Sequence, residues 1–407
     1  MKRLRCCSLT SFSRARCWLG FSKKRHITSN HGQIVHSNDL SQIVREGFPT
    51  DDMNYAFAYG SGIFTQQLVQ PPSSLSSQSL SNSNSTAATS KHNSKPMLDF
   101  IFATNYSQDF HRKNMVKNSK HYSGISQTFG DHFICYLQDI GPGLYFHPYA
   151  NVQLDPPSSQ TYILKYGVIS MEKLKQDLKE WTWLYAAGRL QKPTVSIDLP
   201  SSILNGTDEI LEYQQKYNLK YALAAALLLM PPPSPHMNSS PSTVYNISDV
   251  YEHLVGLSYA GDPRMNAGAE DPQKVQKLVY SLGNMTRLNH LYNTQWLELE
   301  QLSLVNRVAD GKKIEIDILN STWRKELWQR LPSLVKSTTA SSYDVFTGKQ
   351  VVYNIKDVSA SSEILKVSIS KIVGEAAVTQ SLKGVVTAGF ANSLRYASSK
   401  FIKGSSS

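Results

Sequence analysis

Cysteine is scarce in this chain. Only four of the 407 residues are Cys, and three of them (Cys6, Cys7, Cys17) fall near the start, leaving Cys135 alone in the body. One thiol builds neither a structural disulfide nor a cysteine zinc site, so a disulfide scaffold is excluded and a reducing compartment fits. Long apolar runs are missing as well. The longest, Tyr221–Met230, covers ten residues and stops at Pro231; a membrane-crossing helix needs roughly 20, so this one reads as buried. Internal repeats are absent, which argues against a solenoid. The body also lacks a strong charge bias. The formal charge is +11, from 42 Lys+Arg against 31 Asp+Glu, but eight of the basic residues precede the first acid, Asp39. Remove them and the excess is about three, too little for a surface that wraps a polyanion, so a nucleic-acid partner is not expected.

The first 38 residues hold Lys2, Arg3, Arg5, Arg14, Arg16, Lys23, Lys24 and Arg25 between Leu4, Leu9, Phe12, Trp18, Leu19 and Phe21. Arg-rich, Ser-bearing and free of acids, they read as a mitochondrial transit peptide over 1–38. The whole chain is 41% apolar, and the part beyond residue 38 is long enough for more than one domain. A mixed α/β domain is expected over 39–230, a linker over 231–243, a helical domain over 244–340 and a C-terminal region over 341–407. The ten serines of residues 70–95 mark an insertion that cannot repay the entropy of ordering.

Residues 54–69 read as a short apolar strand, a glycine turn and the start of another element; further strands are predicted at Met97–Thr104, Thr161–Ser170 and Thr194–Leu199, and helices at Met171–Ala187 and 208–230. The strand over 194–199 turns Val195, Ile197 and Leu199 to one face. Residues 375–403 read as a basic amphipathic helix that either docks on anionic lipid or packs back on the second domain.

Three groups of residues carry candidate chemistry. Gly60-Ser61-Gly62 forms a turn that could bring backbone N–H groups to a phosphate, although G-S-G is also an ordinary hairpin. Asp99 interrupts the apolar strand Met97–Thr104, and Asp198 lies between Ile197 and Leu199. A carboxylate in such a setting is costly unless paired or holding a metal. If both converge they would chelate magnesium on a triphosphate. Lys165, Arg189 and Lys192 supply fixed positive charge for phosphate oxygens, and His111, Lys113, Lys117, Lys120 and His121 outline a basic helix that either grips an anionic head group or is simply exposed.

The segments Y-G-S-G-I-F-x-Q (59–66), M-L-D-F-I-F (97–102), H-x-x-N-x-x-x-N-x-x-H-Y-S (111–123), L-K-Y-G-V-I-S (164–170), L-Y-A-A-G-R-L-Q-K-P (184–193), L-S-Y-A-G-D-P-R-M (257–265) and Q-S-x-K-G-V-V-T-A-G (380–389) occur in this order. Together they resemble the mitochondrial CDP-diacylglycerol synthases of the translocator assembly and maintenance family, in particular its fungal members. The resemblance implies a polymerase-β-like nucleotidyltransferase mixed sheet, followed by a mainly helical second domain and a C-terminal amphipathic helix. It also implies transfer of CMP from CTP to phosphatidic acid with magnesium, upstream of cardiolipin, by a protein peripheral to the matrix side of the mitochondrial inner membrane. By motif position Asp99 and Asp198 would hold the metal and Lys165 would assist. Gly60, Ser61, Gly62, Tyr166, Arg189 and Lys192 would hold the nucleotide, and His111, Lys117, His121, Arg264 and Lys383 are candidates for phosphatidate. Ile101 stands where the superfold has a second acid, so the second metal ligand must be Asp198 or a phosphate oxygen. Two other functions share parts of the pattern: an RNA-directed nucleotidyltransferase, and a non-enzymatic assembly factor for an import translocator.

Overall fold

A computed structural model describes residues 35–65, 97–156, 160–200, 208–232, 242–266, 270–317, 320–340 and 358–388. The leader up to residue 34, the serine-rich insertion, most of the predicted linker and residues 389–407 lie outside the described residues.

Largely apolar segments build a mixed five-stranded sheet. Its strands are β1 (Tyr55–Tyr59), β2 (Leu98–Thr104), β3 (Leu144–Gln153), β4 (Thr161–Ser170) and β5 (Val195–Ser196), in the order β3-β4-β2-β1-β5. Only β2 and β4 run parallel; the other neighbours are antiparallel. Apolar side chains leave both faces of β2, as expected for a strand covered on two sides. On one face Ala56, Ala58, Phe100, Phe102 and Val168 pack against Leu40, Ile43 and Val44 of α1 (Ser37–Gly47) and Phe110 of α2 (Ser107–Lys117). Val195, Ile197 and Leu199 join that same cluster, as their period of two predicts. On the other face Phe57, Ile101, Ala103 and Phe146 meet Leu174 and Leu178 of α4 (Met171–Glu180), beyond α3 (Gly124–Asp139) in the chain.

That second core is continuous with the later helices. It includes Leu190 of α5 (Ala186–Leu190), Ala222 to Leu228 of α6 (Glu209–Leu228), Leu254, Trp296, Leu327, and Ile364 to Val373 of the helix Val358–Ala388. The predicted helical region therefore shares one apolar core with the sheet. It also carries a small antiparallel sheet, with Lys313–Ile316 between Thr243–Asn246 and Asn306–Val308, that the sequence pattern did not reveal. Among the described residues no helix is long and apolar enough to cross a membrane.

Two predicted elements are shorter than expected. The helix predicted over Met171–Ala187 ends at Glu180, because Trp181 adopts φ +55° and Leu184 φ +47°, and the chain restarts as α5. The strand predicted over 194–199 pairs only through Val195 and Ser196.

Candidate active site

The parallel register of β2 with β4 and the antiparallel register of β1 with β2 place Tyr59, Asp99 and Lys165 side by side at one end of the sheet. Strand alternation puts all three on the face that carries Phe57, Ile101 and Phe146. There they open into a cleft of about 510 Å³, within the usual span of small-molecule pockets.

The glycine turn sits directly above Asp99. Gly60 has φ +86°, and a Cβ at that position would stand 3.1 Å from Asp99 Oδ2. Its carbonyl accepts hydrogen bonds from the N–H groups of Ile63 and Phe64, each at 3.1 Å, which closes the turn. A Cβ on Gly62 would lie 2.1 Å from the Met97 carbonyl oxygen, so only glycine fits there. Lys165 extends over the Phe146 ring, 4.9 Å from its centroid. The ring has that position because residue 167 is glycine; a Cβ there would stand 2.7 Å from Phe146 Cε1.

The opposite wall is cationic and aromatic. Arg189 lies 3.9 Å from the Tyr185 ring centroid and donates to the Tyr185 carbonyl at 2.6 Å. Lys192 donates to Ser258 Oγ at 2.5 Å and lies over Tyr259. Burial pushes the Lys192 ammonium well below the ordinary lysine range, and the charges of Arg189 and Lys274 push it the same way. Burial likewise raises the Tyr59 hydroxyl, while the nearby Arg189 draws it back. Arg264 is held by the nearly buried Asp262, Nε to Oδ1 at 3.0 Å and Nη2 to Oδ2 at 2.6 Å. A third wall comes from Val373, Ala376 and Ala377 of the C-terminal helix. That helix touches the loop before Arg264, since a Cβ on Gly261 (φ +72°) would meet the Ser370 carbonyl oxygen at 2.3 Å.

The cleft thus gathers Gly60, Ser61, Gly62, Asp99, Lys165, Arg189, Lys192 and Arg264. It leaves out the other predicted residues. Asp198 does not meet Asp99. β5 runs against β1 with Phe57 opposite Ser196, so the chain beyond Ser196 heads toward Tyr55 and away from Gly60; the Ile197 N–H reaches the Ala56 carbonyl. Four residues along the sheet and two strand spacings across it separate the acids by about 13 Å in one direction and roughly 10 Å in the other. Asp198 is exposed, its N–H bonded to Ser41 Oγ.

Tyr166 points the opposite way from its neighbour Lys165, by the same alternation, into a buried polar cluster behind the sheet. Its hydroxyl accepts from Asn114 Nδ2 at 2.9 Å and meets His121 Nδ1 at 3.1 Å. His111, with no exposed surface, has both ring nitrogens engaged, by Tyr122 Oη and Gln138 Oε1. These three residues are engaged in packing and hydrogen bonds outside the cleft. Lys117 is exposed on α2, outside the cleft. Lys383 is buried and donates to the carbonyls of Gln138 (3.1 Å) and Ile140 (2.7 Å), closing the C-terminal end of α3.

Sequence reasoning missed Asp177, the tyrosine wall and the part that the C-terminal helix, expected over 375–403 and found over Val358–Ala388, takes in lining the cleft. Asp177 had a signal: it sits between Leu174 and Leu178 on the apolar stripe of α4, where an acid is out of place.

Among the described residues no group of three His, Cys, Asp or Glu side chains could hold a metal by itself. Magnesium, however, commonly uses one or two carboxylates and takes its other ligands from phosphate oxygens and water. Asp99, beneath a glycine turn whose backbone leaves room above the carboxylate, fits that arrangement.

Fold and cleft define a mixed α/β protein whose carboxylate, glycine turn and cationic wall suit a polyanionic ligand. Residues 40–403 match the family model described as phosphatidate cytidylyltransferase, mitochondrial, and the chain belongs to that family. It is 32% identical over 365 residues to the Danio rerio protein of that name, covering 88% of this chain and 91% of the relative. The Dictyostelium discoideum protein is 30% identical over 427 residues (92% and 88%), and that of Schizosaccharomyces pombe 30% over 366 (86% and 80%).

Proposed function

We propose that the protein is a phosphatidate cytidylyltransferase, converting CTP and phosphatidic acid into CDP-diacylglycerol and pyrophosphate. One observation carries the reading beyond family membership: Asp99 lies under the Gly60 turn and faces a wall holding Arg189 and Lys192 across a single cleft. A triphosphate needs that combination of backbone donors, cations and one acid.

In this reading the Gly60–Gly62 turn and Lys165 hold the triphosphate, and Asp99 would hold magnesium, which neutralises charge on the phosphates when bound. A phosphatidate oxygen attacks the α-phosphorus in line. The bond from that phosphorus to the β-bridging oxygen breaks, and pyrophosphate departs with the electron pair. The nucleophile is already an anion, so the cleft needs no strong general base, and its contribution is position and electrostatics. Arg189 and Lys192 neutralise the polyphosphate.

The lipid substrate resides in a bilayer, so the protein works at a membrane surface. Val378, Leu382 and Val385 of the C-terminal helix are about half exposed or more, which supports peripheral docking. The acid-free leader and the mitochondrial names of the relatives support a place on the matrix side of the inner membrane, where the product would feed cardiolipin synthesis.

Purified protein incubated with CTP, magnesium and phosphatidate vesicles should release CDP-lipid and pyrophosphate in equal amounts. Absence of CDP-lipid under those conditions refutes the assignment.

A further inference from the structure

We infer that Asp177 is a positioning residue that builds the cationic wall of the cleft. It lines no part of the cleft itself. Its carboxylate is almost fully buried and accepts four backbone hydrogen bonds, from Trp183 (2.9 Å) and Leu184 (2.8 Å) on Oδ1 and from Tyr185 (3.1 Å) and Ala187 (3.0 Å) on Oδ2. Only a carboxylate has acceptor sites for four donors.

Three of those donors belong to the segment between α4 and α5, where Trp181 and Leu184 take left-handed φ values that a side chain disfavours, and the fourth, Ala187, lies in the first turn of α5. The buried Trp181 indole also donates to Asn218 Oδ1 at 2.8 Å, but the backbone N–H groups of Trp183, Leu184 and Tyr185 are met by Asp177, and without that acceptor the break in the apolar helical spacing loses its main polar support. The bonds to Tyr185 and Ala187 also cap the start of α5 with negative charge. From there the connection is direct. The Tyr185 carbonyl and ring hold Arg189, Gly188 packs against Ser258, and Ser258 receives Lys192. The path from Asp177 to the two cations runs through one loop and one turn of helix.

The inference rests on the reading that this cleft holds CTP. Its test uses the full chain, with CTP and phosphatidate kinetics on Asp177→Asn and Asp177→Glu at a temperature where circular dichroism shows each folded. Asn replaces two acceptor sites by a donor facing two N–H groups; Glu keeps the charge but moves it by one methylene. The expected result is a CTP KM raised about tenfold with kcat within about threefold, since the lost contacts serve binding. In an Arg189→Ala background Asp177→Asn should raise KM by less than it does in the wild type, because part of its effect runs through that side chain and the rest through Lys192. A residue that merely stabilises the fold would lower the melting temperature and leave KM per folded molecule unchanged. A wild-type KM in either folded variant, full additivity with Arg189→Ala, or failure of both variants to fold overturns the inference. An inactive wild-type protein would instead overturn the reading of the cleft.

Discussion

Gly60 lies against Asp99 so closely that a single methyl on the glycine would touch the carboxylate, 3.1 Å from Oδ2. The turn and the acid are therefore one unit. Replacing Gly60 by Ala adds a left-handed φ penalty of about 1–2 kcal/mol and intrudes on the space above Asp99. Turnover should fall at least about 100-fold, more than that stability loss explains. Gly62→Ala, which drives a methyl into the Met97 carbonyl, should instead cost about 2–4 kcal/mol of stability. Thermal unfolding and initial rates, measured together, separate the two effects.

Asp99→Asn should abolish CDP-lipid formation while leaving the melting temperature near that of wild type. Asp198→Asn should retain turnover within about threefold, since that acid is exposed and far from the cleft. Loss of activity in the second variant alone would mean that the acid acting on the nucleotide is the later one.

Nucleotide binding should take up protons. Burial and two cationic neighbours hold the Lys192 ammonium well below its ordinary range in the free cleft, and an adjacent polyphosphate would raise it again. A group with a higher pKa in the complex than in the free protein binds a proton on association, so CTP affinity should weaken as pH rises between those two values. Calorimetric titration in buffers of different ionisation enthalpy reads the uptake directly. Lys192→Met should abolish it.

Gly167→Ala tests how Lys165 is supported. The added methyl displaces the Phe146 ring on which the Lys165 side chain lies. Overpacking should cost about 1–3 kcal/mol of stability. CTP KM should rise several-fold, and removing bulk in the pair Gly167→Ala, Phe146→Leu should recover part of both losses.

Acid should loosen the cluster behind the sheet. Burial lowers His111 to about 4 in the folded chain from its ordinary 6.5. The unfolded chain therefore binds more protons between those values. The stability that the neutral imidazole supports is present above about pH 6.5 and is lost as pH falls through about 4. The conversion of 1.36 kcal/mol per pKa unit gives about 3 kcal/mol at most. Melting curves from pH 7 to 4 should show a steeper decline for wild type than for His111→Gln.

Apolar runs made part of the sheet readable, since β2 and β4 lie within a residue of their predicted spans, and alternation put Val195, Ile197 and Leu199 on one face as expected. The same alternation limits what a motif can assign. Lys165 and Tyr166 stand side by side in a recognisable segment, yet a strand cannot send neighbours to one site, and Tyr166 serves the core behind it. Asp198 illustrates a different limit. An acid flanked by apolar residues was visible, but its distance from Asp99 depends on strand direction and register, which local pattern does not encode. The break at Trp181 was hidden for a related reason: α4 carries a helical stripe through that position, and it is the fold of the chain back onto the Asp177 carboxylate that ends it. The contribution of Val373, Ala376 and Ala377 depends on contacts more than two hundred residues away from the β4 strand and leaves no short-range trace.

Because the helix Val358–Ala388 supplies one wall of the cleft through its middle turns, its two ends are experimentally unequal. A truncation made upstream of Val373 to dissect lipid attachment would open the chamber to solvent at the same time, and its inactivity would report a missing wall. Polar substitutions at Val378, Leu382 and Val385 leave Val373, Ala376 and Ala377 in place. Such variants can separate delivery of the lipid from the chemistry performed on it.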